Sequence, residues 1–184
     1  MPHYRRYWVP GATYFFTVVT HGRAPILCTN LARPLLHAAL EDCRRECPFD
    51  MPAVVLLPDH LHAVWTLPPG DDDFAGRWGR IKRVFTQTYL AAGGDQLPIT
   101  AARRRQHRRG VWQPRFWEHL IRDEDDYEKH FDYIHWNPVK HGYAATAWDW
   151  EWSSFRRWVT AGVYPPDWGC GPELFNGLEG TAGE

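Results

Sequence analysis

With 184 residues, a formal net charge of -1, 44% hydrophobic and 23% charged residues, the chain has the balance of one globular domain, which excludes a disordered or fibrous protein. No run approaches the roughly 20 apolar residues that span a bilayer, and the opening MPHYRRYWVPGATYFF lacks the apolar stretch of a signal peptide, so a cytoplasmic protein is expected. The near-neutral sum hides local patches: Arg103, Arg104, Arg105, His107, Arg108 and Arg109 form a basic block, and Asp71, Asp72 and Asp73 an acidic one.

In chain order, residues 12–20 (ATYFFTVVT) are β-branched and aromatic after a Pro-Gly pair and read as a first strand. Residues 30–46 carry Leu31, Leu35, Ala38 and Ala39 at helical spacing, with Asn30 placed as a cap. A short apolar run over 53–57, stopped by Pro58-Asp59, precedes 60–67, where His60, His62, Val64 and Thr66 alternate with Leu61, Ala63, Trp65 and Leu67. Two strands joined by a tight turn follow from that pattern.

Residues 74–92 return to a helical period, ended by Gly93-Gly94, and the basic stretch over 93–110 lacks any apolar period and reads as an insert or arm. Residues 115–122 form a candidate fourth strand. Asp123 to Asp126 place carboxylates at the positive end of a helix that runs through Tyr133 and stops before Pro138. The order β, α, β, β, α, β, α predicts an α+β, ferredoxin-like antiparallel sheet with helices packed on it over residues 1–168, followed by an irregular tail over 169–184. The four cysteines, Cys28, Cys43, Cys47 and Cys170, form no CxxC pair and are expected to be reduced thiols.

Strand rise sets the imidazoles of His60 and His62 about 7 Å apart on one face, close enough to meet at one ion. An HxH pair alone also fits two ordinary core or surface histidines. Tyr133 and Asn137, four residues apart, are neighbours on a helix face, one a candidate nucleophile and the other a neutral oxygen ligand. Tyr127, six residues from Tyr133, points to another side. His130 and Lys140 are candidates for assisting charge during attack, Asp59 for supporting the metal, and Glu118 and His119 for orienting a ligand imidazole. Arg5, Arg6, Arg77, Lys82, Arg83, Lys140 and the block of Arg103, Arg104, Arg105, Arg108 and Arg109 can neutralise phosphates, and Trp112, Trp117 and Trp136 offer ring surface to unstacked bases.

Three separated blocks, YRRYWVPGATYFFTV, LPDHLHAVWTLP and GVWQPRFWEHLIRDEDDYEKHFDYIHWNPVKHGY, together strongly resemble the REP-associated tyrosine transposases, relatives of the single-tyrosine HUH transposases of insertion sequences. The resemblance covers roughly residues 3–168 and implies His60, His62 and Asn137 as ligands of Mg²⁺ or Mn²⁺, Tyr133 as the catalytic tyrosine on a helix of the C-terminal half, and nicking and rejoining through a 5′-phosphotyrosine link. The implied substrate is a folded single-stranded hairpin, the repetitive extragenic palindrome, with a short guide sequence at its foot. A monomer is slightly favoured over a homodimer: insertion-sequence relatives act as dimers that can share sites between subunits, whereas the resemblance to the REP-associated branch implies a monomer that uses its own tyrosine. The insert over 93–110 is less typical of the family. Two other readings compete: a single-stranded DNA-binding protein without cleavage, and a hydrolase of the barrel type with a zinc site at the HxH. Length opposes the latter, as such barrels need about 250 residues.

Overall fold

The computed structural model describes residues 7–106 and 108–169. Arg5, Arg6, His107, Cys170 and the remainder of the tail lie outside the described residues. Strands β1 (Thr13–Val19), β2 (Asp50–Leu56), β3 (His60–Thr66) and β4 (Trp117–Leu120) form one antiparallel sheet in the order β2–β3–β1–β4. Helix α1 (Ala32–Glu46) joins β1 to β2 and helix α2 (Phe74–Ala91) joins β3 to β4, the ferredoxin-like path expected from the sequence.

Each face of the sheet has its own core, which is why β1 is buried without interruption after Thr13. Tyr14, Phe16, Leu61 and Trp65 pack with Leu36 of α1 and with Trp78 and Phe85 of α2. Phe15, Val55 and Val64 point the other way, onto Phe131 and Ile134 of a third long helix. The alternation along β3 therefore puts His60 and His62 on the face opposite α1 and α2.

Three local expectations need correction. Asn30 does not cap α1; Leu31 is already helical, and the Thr29 hydroxyl accepts the Ala32 N–H at 3.1 Å. The basic insert is not wholly irregular: Thr100 caps a short helix α3 (Ala101–Arg105), its hydroxyl accepting the Arg103 N–H at 3.3 Å. The helix opened by Asp123, α4 (Glu124–Lys140), does not stop before Pro138 but carries the proline inside it. In the last turn a proline forfeits only its own N–H bond, and the chain leaves the helix just afterwards, where Gly142 takes φ +69°.

The segment beyond α4 also packs in order. A 3-10 turn over Ala147–Asp149 and helix α5 (Phe155–Thr160) close the second core through Ala147 and Phe155. Between them the chain runs along the outer edge of β2, where Leu56 N–H donates to the Trp152 carbonyl at 2.8 Å and Ser154 N–H to the Val54 carbonyl at 2.9 Å. An edge that would otherwise invite another strand is thus satisfied internally. Cys28, Cys43 and Cys47 are free thiols. No described helix is long and apolar enough to cross a membrane.

His135 of α4 pins this segment. It is fully buried, with Nε2 2.7 Å from the Ser154 hydroxyl and Nδ1 3.3 Å from the Tyr164 hydroxyl, which in turn donates to Asp132 at 2.5 Å. Burial pulls its imidazole down to about 3. The unfolded chain takes up a proton near pH 6.5 while the folded one refuses it, so stability is full above that pH and falls as pH drops towards 3. Between pH 7 and pH 5 the loss from this residue is about 2 kcal/mol. Urea midpoints should show that excess slope in the unaltered chain and not in His135→Gln; parallel slopes would remove the assignment.

Candidate active site

Strand β3 presents His60 and His62 with ring centroids 4.9 Å apart. Both are buried, and in each Nδ1 is engaged by a residue that orients the ring. His60 Nδ1 donates to the Asp59 carboxylate at 2.6 Å, and His62 Nδ1 lies 2.9 Å from the Thr17 hydroxyl, directly across the β1–β3 pairing. With Nδ1 so occupied, Nε2 is the nitrogen each ring would turn to a metal. Asp59 is itself fixed by Arg23 at 3.1 Å. Burial pushes the Asp59 carboxyl up, yet the bonds from His60 and Arg23 outweigh it and hold the group below its ordinary range.

Helix α4 crosses this face and lays Tyr133 over the pair. Its ring is 5.3 Å from that of His62 at 73°, and Phe15, stacked 5.3 Å from His62, fills the space behind both. Asn137 follows one turn later on α4 and is fully buried. Because α4 continues past Pro138, Lys140 comes round two turns after Tyr133, and its ammonium donates to the Tyr133 hydroxyl at 3.1 Å while lying 4.8 Å from the ring centre. The phenol is 2% exposed. Two imidazole nitrogens and the Asn137 amide oxygen would make a mixed donor set that suits Mn²⁺ and, with water completing the shell, Mg²⁺.

A second grouping of metal-ligand type lies further back on α4. His119 of β4, Asp126 and His130 have ligand-type atoms all within 4.8 Å. The two rings stack at 4.5 Å and 18°, however, so their in-plane lone pairs run side by side instead of converging. The Asp126 carboxylate accepts from His119 at 2.8 Å and from the Arg122 backbone at 3.0 Å. Burial would raise this carboxyl, but those bonds take it down to about 2. In this arrangement the group is a bracket between β4 and α4.

Several sequence expectations change here. The rings of His60 and His62 are oriented by Asp59 and Thr17; Glu118 faces the opposite side of the sheet, across from Phe16, and His119 is bonded to Asp126. His130 is buried, with Nδ1 2.8 Å from the Asp126 carbonyl, and desolvation lowers its imidazole. Arg77 is spent internally, 4% exposed and paired with Asp71 at 2.6 Å. Tyr127 stacks on Phe131 in the second core, away from the histidines. His141, which sequence reasoning missed, has its ring 5.4 Å from that of His60.

The basic residues divide. Lys82, Arg83, Arg103, Arg108 and Arg109 line one groove of about 850 Å³ between α2 and the insert, with Trp112 in its wall. Arg104 lines a smaller neighbouring cavity of about 400 Å³, also touched by Arg108 and Arg109, and Arg105 borders neither. Of the proposed base platforms, Trp112 is buried in the first core, whereas Trp117 and Trp136 are partly open.

No family model matches the chain. A REP-associated tyrosine transposase of Escherichia coli strain K12 is 45% identical over 168 residues, 91% of this chain and 91% of that protein. The chain belongs to the family of REP-associated tyrosine transposases. A Haemophilus influenzae relative named for the same family is 41% identical over 179 residues, 95% of this chain and 97% of its own length. A solved REP-associated tyrosine transposase bound to a REP hairpin superposes with a TM-score of 0.80 at 42% identity, covering 100% of this chain and 98% of that one. As a REP-associated tyrosine transposase, the chain keeps the family's α+β architecture, and in it the Tyr133 ring lies against His62.

Proposed function

We propose that this transposase nicks and rejoins single-stranded DNA beside a REP-type hairpin, with Tyr133 as nucleophile and His60, His62 and Asn137 holding Mg²⁺ or Mn²⁺. The observation that carries the reading is Tyr133 lying against His62 with the Lys140 ammonium on its hydroxyl. A bound divalent ion supplies positive charge to the oxygens of the scissile phosphate. Tyr133 Oη attacks phosphorus and loses its proton; the bond to the 3′-oxygen breaks, and that oxygen leaves as a hydroxyl after taking up a proton. The 5′-phosphotyrosine link retains the bond, so a later 3′-hydroxyl can displace Tyr133 and restore a phosphodiester without ATP. Lys140 offsets the charge that develops on Oη and meets the incoming phosphate.

Hairpin recognition is supported by the relative solved with a REP hairpin and by the groove of five cations. The groove lies beside α2, so the backbone it holds is on the far side of the sheet from Tyr133. Replacing Arg103, Arg108 and Arg109 together should weaken hairpin binding and flatten its salt dependence by about three units of log K per log salt. An unchanged slope would return the arm to a solvated surface. A monomer is favoured because the nucleophile and the histidines come from one chain and the β2 edge is already paired. Incubating the protein with Mn²⁺ and a single-stranded hairpin carrying unpaired flanks tests the whole reading. Nicked strand and a protein–DNA adduct that survives denaturation are expected; binding without either would leave a DNA-binding protein that does not cut.

A further inference from the structure

Beyond His141 the rings continue outward from the site. Tyr143 stacks on His141 at 5.9 Å, Trp150 on Tyr143 at 5.7 Å, and Trp152 meets Trp150 edge-on at 4.8 Å. His141 itself stands 5.4 Å from His60, so the series begins at a proposed metal ligand. Tyr143 is 45% exposed, and the indole N–H of Trp150 donates to the Leu56 carbonyl at 2.9 Å, anchoring the middle of the series to the end of β2. At the far end the Arg33 guanidinium lies 5.0 Å from the Trp152 ring. Both side chains line an open, largely apolar groove of about 380 Å³ walled by Pro34, Met51 and Leu56, with His37 also at its side.

Flat rings stepping away from a phosphodiester site, then an apolar groove with a guanidinium beside it, match the chemistry of unpaired nucleotides: π-faces for the rings and a phosphate for the cation. Duplex DNA hides its base faces and would gain nothing from them. We infer that the ring series from His141 to Trp152, ending in the Arg33 groove, holds the unpaired bases that flank the scissile phosphate. This rests on the proposed function and adds where the single strand lies. The basic groove holds backbone beside α2, whereas the ring series runs round the β2 edge, from the face that carries Tyr133 to the Arg33 groove beside α1, and reads the strand by stacking.

The test compares two substrates with the full chain: a hairpin with unpaired flanks on both sides of its foot, and the same hairpin ending flush. Tyr143→Ala and Arg33→Ala should each weaken binding of the flanked hairpin about tenfold and leave the flush hairpin unchanged, which also serves as the control for folding. A 2-aminopurine in the flank should be quenched on binding the unaltered protein and less quenched on binding Tyr143→Ala. Equal loss on both substrates, no loss on either, or unchanged quenching overturns the inference. If the unaltered protein binds and nicks the flanked hairpin while the variants match it, only the inference falls; if it neither binds nor nicks, the proposed function falls with it.

Discussion

Tyr133→Phe should abolish the covalent protein–DNA adduct and lower cleavage by at least about 10⁴-fold, while hairpin binding stays within about twofold. The substitution removes one oxygen from a buried ring whose packing against Phe15 and His62 is otherwise kept. What is lost is the proposed nucleophile and the acceptor of the Lys140 hydrogen bond. Because the cation-lined groove lies on the other face of the sheet, affinity for the hairpin has no reason to follow. An adduct that persists would move the nucleophile elsewhere, and Tyr127, stacked on Phe131, would be the next residue to examine.

The second large effect concerns the histidines. His60→Ala or His62→Ala should lose cleavage and Mn²⁺ affinity together, because each removes one of the two nitrogen donors of the proposed metal site. The residues behind them should give a graded series. Thr17→Val and Asp59→Asn keep both imidazoles but release their orientation, and a loss of about 10- to 100-fold in metal affinity is expected from each. Isothermal titration with Mn²⁺ alongside a cleavage assay separates the cases. Cleavage that persists with unchanged metal dependence in His62→Ala would take the pair out of the site.

How much of this was legible in the sequence depended on whether a feature is local. Period-two alternation over residues 60–66 is a property of the strand itself, and it placed His60 and His62 together on one face before any partner was known. The spacing of Tyr133 and Asn137 on a helix was legible for the same reason. Thr17 was not, because its bond to His62 depends on the register of β1 against β3, which no spacing within either strand reveals. The burial of His130 and the role of Arg77 were hidden likewise, both being decided by a packed neighbour.

Pro138 misled in an instructive way. The bias of a proline against helix in the preceding residue predicts an end before Pro138, yet packing of Ile134 and Asn137 carries the helix on to Lys140. That extra turn is what brings the Lys140 ammonium to Tyr133. The ordered segment after α4 was illegible because its hold is tertiary: Ser154 bonds to His135 and to the edge of β2, and α5 alone spans only Phe155–Thr160.

The most direct measurement is to locate the DNA-linked residue. After reaction with Mn²⁺ and a flanked single-stranded hairpin, the denatured adduct is digested with protease and nuclease, and the modified peptide is sequenced by mass spectrometry. The account predicts a nucleotide joined through its 5′-phosphate to Tyr133, formed only when the divalent ion is present. A nucleotide on any other residue, or nicking with no linked residue, would contradict it.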